Sequence, residues 1–228
     1  MTADKKTRRL LLGATCYADA RESIDIAALL ARKLNLDISA YLLEDEATLL
    51  ASDLPHAKVT NPSGTTLPVS ASEMRDAFHR DAQAFQQALS IKAKRSRLDW
   101  TFTQIAGTFE SVLDEEGGRK SLSLFGYNRL HQPPSGTKSL IVVAFEGKEL
   151  DPSVDQLALA LAEETGGQIE TIALDVQFDQ SQLIAFLQGQ NLAALIISDP
   201  LVRKIGVDTV INAGRCPVVI IGTNQRVA

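Results

Sequence analysis

Two apolar segments, Asn191-Leu-Ala-Ala-Leu-Ile-Ile-Ser198 and Arg215-Cys-Pro-Val-Val-Ile-Ile221, are separated by a connector of the length of one helix. Short, continuous apolar runs joined by a helix are typical of parallel strands that are buried on both faces. No glycine-rich phosphate-binding loop lies between the two segments. The pattern therefore predicts an α/β fold, but it does not by itself indicate a nucleotide site.

The same alternation of strand and helix recurs along the chain. Residues 9–15 and 37–43 are predicted strands, and residues 20–34 between them place their apolar side chains on one helical face. This β-α-β unit has the length of a right-handed parallel crossover. Residues 53–69 are rich in turn formers and predict an irregular loop, which a long helix over residues 70–93 follows.

A second series of strands and helices begins after a predicted linker that contains Pro133-Pro-Ser-Gly136. Leu10-Leu-Leu-Gly-Ala14 is similar to Leu140-Ile-Val-Val-Ala144, and the helix and strand that follow each segment are similar too. We therefore predict two related halves, residues 1–130 and 139–228, with a linker at 131–138. The first half lacks a final helix and strand, and the second is shortened after its second strand.

Composition excludes several classes of protein. Net charge is −5, with 45% apolar and 22% charged residues, which disfavours broad affinity for nucleic acid or an anionic membrane. No apolar run has the roughly 18 residues of a membrane helix, and the segment before Cys16 is too short for a signal peptide. Cys16 and Cys216 do not make a disulfide framework and are predicted to be small, buried apolar residues, and the expected compartment is the cytoplasm.

The segments quoted above resemble a tandem, degenerate universal stress protein of the adenine-nucleotide alpha-hydrolase-like group. Residues 10–43 and 140–174 match the opening strand-helix-strand unit of that family, and Cys216-Pro-Val-Val-Ile-Ile221 matches its closing strand. The resemblance covers most of the chain. It implies a three-layer α/β/α structure with mostly parallel sheets, built from two universal-stress-like repeats, in which final strands associate across a two-fold axis.

The chain departs from the nucleotide-binding members of the family. Those members resemble one another in an acidic residue after the first strand and a glycine-rich loop after the fourth. The acidic position falls on Thr15 in the first half and on Glu146, followed by Gly147, in the second. Only 17 residues separate Ser198 from Cys216, too few for the loop and a full helix. The backbone amides that would bind phosphates are therefore not evident.

Four residues are candidates for a nucleotide site in the second half. Glu146 and Gly147 end a predicted strand, where a carboxylate could meet a ribose hydroxyl. Arg203 and Lys204 are predicted in the first turn of the last helix, near the same edge, where they could contact a phosphate. The alternative for all of these charges is an ordinary solvated surface.

No catalytic or metal site is predicted. The sequence contains no Gly-x-Ser-x-Gly elbow, no Walker loop and no Gly-x-Gly-x-x-Gly motif. The three histidines, His56, His79 and His131, are too far apart for metal-ligand spacing. The basic residues between Lys92 and Arg97 suit the C-terminal end of a helix better than a nucleic-acid surface.

The sequence thus favours a stress-related or regulatory protein that is not an enzyme, binds no cofactor and acts through protein contacts. One alternative is a sensor that binds ATP or AMP weakly in its second half, and another is a small-molecule hydrolase. Nucleic acid and membrane are not expected partners. Because no strand follows residues 217–221, this strand is predicted at a sheet edge, where it would form a homodimer by pairing with its copy.

Overall fold

The computed structural model of the protein describes residues 9–44, 50, 58–60, 64–68, 70–117, 122–127, 140–147, 152–174 and 179–222. The strands, in chain order, are β1 (Arg9–Ala14), β2 (Asp37–Glu44), β3 (Lys58–Thr60), β4 (Thr66–Pro68), β5 (Trp100–Ala106), β6 (Leu122–Phe125), β7 (Leu140–Glu146), β8 (Gln168–Leu174), β9 (Leu192–Ser198) and β10 (Val218–Ile221). The helices are α1 (Tyr17–Leu34), α2 (Ala71–Ser96), α3 (Phe109–Gly117), α4 (Pro152–Thr165), α5 (Gln180–Gly189), α6 (Asp199–Ile205) and α7 (Val207–Gly214).

Eight strands form one sheet in the order β5-β2-β1-β6-β10-β9-β7-β8. Neighbouring strands are parallel except β6 and β10, which pair antiparallel with Val218 opposite Phe125. The strands of the first predicted half therefore run in one direction and those of the second half run in the other. As a result, the carboxyl ends of the two sets of strands lie at opposite edges of the sheet.

Helices cover both faces of this sheet, as expected for a three-layer α/β/α structure. One apolar core lies between the sheet and α1, α2 and α4, and includes Leu30, Phe85 and Leu161. The other lies between the sheet and α3, α5, α6 and α7, and includes Leu113 and Val210. The fully buried, apolar strands explain why short runs such as residues 192–198 have no polar alternation.

Local sequence explains where α2 begins and where α1 ends. Ser70 caps α2, because its Oγ accepts the Glu73 N–H at 3.3 Å while the Glu73 carboxylate accepts the Ser70 N–H at 2.8 Å. This second hydrogen bond lowers the pKa of Glu73. Asn35 ends α1 in the left-handed conformation, with φ of 51°. These caps determine the start of α2 and the end of α1.

Two predicted elements differ in the structure. The single helix expected near residues 201–213 is divided into α6 and α7 at Gly206, whose φ of 95° is incompatible with a continuous helix. Arg203 and Lys204 consequently lie in the last turn of α6, not in a first turn.

Within the loop predicted at residues 53–69, β3 and β4 form an antiparallel pair, with Val59 opposite Leu67. The predicted linker, residues 131–138, lies outside the described residues.

The prediction that residues 217–221 form an edge strand is wrong. β10 lies inside the sheet, between β6 and β9, and Val218 and Val219 are 0% exposed. The reason is that β6 has no strand of its own half on its outer side, so the last strand of the chain pairs with β6. A homodimer through residues 217–221 would need an edge that is already occupied, so this interface is excluded.

Among the described residues, no helix has the length and apolar character required to cross a membrane.

Candidate functional site

The predicted site lies at the carboxyl edge of β7 and β9. These two parallel strands are neighbours, and the helices that follow them, α4 and α6, lie on opposite faces of the sheet. A switch of this kind opens a crevice at the ends of the strands, where ligands bind in α/β proteins. Glu146 ends β7, Gly147 follows it, and Ser198 ends β9. The structure therefore places Glu146 and Gly147 where the sequence analysis expected them.

Glu146 and Lys204 are brought into direct contact. The Lys204 ammonium binds Oε1 of Glu146, and their side chains are 44% and 24% exposed. This ion pair joins the end of β7 to α6. Glu146, the acid considered as a ligand of a ribose hydroxyl, and Lys204, the cation considered as a ligand of a phosphate, therefore bind each other.

Arg203 binds two other acids, Asp199 and Asp114. Its Nε donates to both carboxylate oxygens of Asp199, at 2.9 and 3.1 Å, and its Nη1 donates to Oδ1 of Asp114 at 2.5 Å. The hydrogen bond to Asp114, and then the one to Asp199, raise the pKa of Arg203. Because Asp114 belongs to α3, this network connects the two predicted halves of the chain.

Among the described residues, the backbone at this crevice offers little to an anion. The N–H of Gly147 donates to the main-chain oxygen of Leu174 at 3.3 Å, which extends the β7–β8 ladder. Asp199 and Pro200 occupy the first turn of α6. Proline has no N–H, and a carboxylate in the first turn repels a second anion from the positive end of the helix dipole. The phosphate-binding role proposed for this edge therefore has few donors among the residues that the structure describes.

The first half has its own crevice, between β1 and β6, and the sequence analysis missed the residues that fill it. Thr15 Oγ1 donates to Oδ2 of the buried Asp19 at 2.9 Å. The Tyr17 N–H, at the start of α1, donates to Oδ2 of Asp81 at 3.2 Å. A carboxylate therefore already occupies the anion position at this helix N-terminus. The Thr15–Asp19 spacing was visible in the sequence, but no local signal links Asp81 to α1.

Cys16 lies at the same edge, and its environment opposes nucleophilic chemistry. Burial, and then the negative charge of Asp19, raise the pKa of the Cys16 thiol to about 12. A reactive cysteine requires the thiolate, which this environment suppresses near neutral pH. The structure places Cys16 at the start of α1 and half-buried, whereas Cys216 is fully buried, as predicted.

The three histidines are not predicted to bind a metal ion. His79 is exposed on α2, and His56 and His131 lie outside the described residues. In the part of the chain that the structure describes, no group of three or more histidine, cysteine, aspartate or glutamate residues is arranged to hold a metal ion.

Comparison of the chain with known protein families gives no matching family, and a comparison with curated proteins gives no match either.

Proposed function

We propose that the protein is a regulatory, non-enzymatic protein of universal-stress-like architecture that acts through protein contacts and does not use a bound nucleotide. One observation carries the proposal: Lys204 and Glu146, the cation and the acid best placed to hold a nucleotide in the second half, form an ion pair with each other. A nucleotide would have to break this pair and desolvate both groups, which reduces its net binding free energy.

The first crevice supports the same proposal. Its helix N-terminus is paired with Asp81, and the main chain of Asp19 lies against Gly126, so the end of β6 is covered. In the first crevice the Asp81 carboxylate accepts from the helix N-terminus, where a phosphate would otherwise bind, and in the second Asp199 places a negative charge in the first turn of α6.

The strand order supports two universal-stress-like halves. β1, α1 and β2 form a parallel unit with β6 beside β1, and β7, α4 and β8 form a parallel unit with β9 beside β7. We interpret these two arrangements as copies of one ancestral unit. The first copy retains an additional strand, β5, and the second retains the closing strand, β10.

A nucleotide titration tests the proposal. We expect millimolar ATP or AMP to leave the melting temperature of the wild type unchanged and to give no saturable heat in calorimetry, because a ligand stabilises only the state that binds it. Low-micromolar affinity would contradict the proposal. If that affinity were lost in Lys204→Ala but kept in Lys33→Ala, a matched lysine whose ion pair with Glu163 lies on the helical surface, the nucleotide sensor would be the correct function.

A further inference from the structure

The outer edge of β8 is unpaired among the described residues. β8 pairs with β7 along all seven of its residues, from Gln168 opposite Leu140 to Leu174 opposite Glu146, and it ends the order of the sheet. Gln168, Ile169, Glu170 and Thr171 are all exposed. An edge of this length presents a row of free backbone donors and acceptors, which is a template for another strand.

The other half of the chain shows what β8 lacks. β2 has the same place in its own β-α-β unit, but β5 pairs with its outer side along seven residues, from Ile38 to Glu44. Five of the eight residues of β2 are consequently buried. In the second half, α5 follows soon after β8, and the described residues include no strand equivalent to β5. Within the part of the chain that the structure describes, β8 is thus in the position of an interior strand without its outer neighbour.

The backbone geometry determines which residues face the open edge. The N–H of Gly147 donates to the main-chain oxygen of Leu174, so Leu174 directs its backbone groups towards β7. Since backbone groups alternate along a strand, those of Ile169, Thr171 and Ala173 point outward. These three positions are symmetric about Thr171.

We propose that β8 is a self-association surface, and that it pairs antiparallel with β8 of a second copy about a two-fold axis at Thr171. In this register Thr171 lies opposite its own copy, and Ile169 lies opposite Ala173 of the second copy. The three outward residues of each chain then form about six backbone hydrogen bonds. The two sheets join into one, and the contact is isologous, so that it closes and leaves no β8 edge open.

Charge favours a second copy as the occupant. Glu170 is the only charged residue in β8, and the two-fold register places it opposite Ile172 of the second copy, so like charges do not meet. The strand also contains none of the lysine and proline residues that usually protect an edge from pairing. β5, at the opposite edge, has its large apolar side chains Trp100 and Phe102 packed against the core that α2 covers, whereas Ile169 of β8 is exposed.

Sedimentation velocity at tens of micromolar tests the interface. We expect the wild type to sediment as a dimer of twice the single-chain mass of 24.7 kDa. Thr171→Lys puts two like charges opposite each other and should raise the dimer dissociation constant by at least about fivefold. Thr171→Glu should have the same effect, whereas an equal mixture of the two variants should recover the dimer. Thr103→Lys, at an exposed position on the opposite edge strand, should leave the dimer unchanged.

The mixture tests the register, because opposite charges at residue 171 restore a dimer when this residue lies close to its own copy. A monomeric wild type, a dimer that Thr171→Lys does not weaken, or a mixture that stays monomeric would each overturn the proposal.

A second variant, Thr171→Pro, removes the outward N–H but leaves the β7 ladder intact. It should abolish dimerisation while circular dichroism remains that of the wild type. The result is independent of nucleotide binding, so it can fail while the proposed function stands.

Discussion

A Cβ atom on Gly126 would lie 2.7 Å from the main-chain oxygen of Asp19. Gly126 follows β6, and its N–H donates to the main-chain oxygen of Gly13 at 2.8 Å, so its position is fixed by the sheet. Asp19 belongs to the first turn of α1. The helix can approach the end of β6 this closely only because residue 126 has no side chain.

We therefore expect Gly126→Ala to lower the free energy of unfolding by about 1–3 kcal/mol, since the contact is with backbone that cannot rotate away. Urea denaturation monitored by circular dichroism measures the change. Gly189→Ala is the matched control, because nothing lies within 4 Å of a Cβ at that position. Equal stabilities for the two variants would show that α1 can move away from β6.

The elements themselves were predictable because their signals are local. The apolar runs indicated the strands, the helical periodicity of residues 20–34 indicated α1, and the turn formers of residues 53–69 indicated that α2 begins after them. The position of β10 was not predictable in this way. It depends on which strand of the other half has an open edge, and residues 122–125 and 218–221 pair although they are far apart in sequence.

At the candidate site, too, the local sequence indicated the positions of residues but not their distant partners. The ends of β7 and β9 could be inferred from strand boundaries, which placed Glu146 and Lys204 at one edge. Their mutual ion pair, and the contact of Arg203 with Asp114, join residues that are far apart in sequence. Sequence spacing carries no information about such partners, so these charges were interpreted as ligand contacts.

The network around Arg203 should contribute modestly to stability. Arg203 and Asp114 are 47% and 63% exposed, which limits the expected coupling free energy to about 0.5–1 kcal/mol. A double-mutant cycle with Arg203→Ala and Asp114→Ala, measured by urea denaturation, gives this coupling directly. We expect it to decrease in high salt. A coupling of zero at low salt would mean that Arg203 is held by Asp199 alone.

Phe85 should be a principal stabilising residue of the α2 layer. It is 0% exposed, and its ring centroid lies 5.3 Å from that of Phe102, with the rings inclined at 78°. Phe85→Ala should therefore cost about 3–5 kcal/mol of unfolding free energy. Ile91→Ala, on the same helix but 47% exposed, should cost less than about 1 kcal/mol. Similar losses for both would contradict the packing of α2 on β5.

Cys16 should make the protein less stable in alkali. Its thiol has a pKa of about 12 in the folded protein against an ordinary value of 9.0, mainly because of burial and then the charge of Asp19. Between these two values the unfolded chain loses the Cys16 proton while the folded protein keeps it. The folded state therefore binds more protons, and the free energy of unfolding falls as pH rises through this window.

Removal of the thiol should remove this part of the pH dependence. We expect the loss of unfolding free energy between about pH 8 and about pH 10 to be smaller for Cys16→Ala than for the wild type. Urea denaturation at the two pH values measures it, and Thr103→Ala, on an exposed edge strand, should keep the wild-type difference. Only the comparison between the three proteins is informative. If Cys16→Ala showed the full wild-type loss, the Cys16 thiol would ionise as easily in the folded protein as in the unfolded chain, and the start of α1 would be open to solvent.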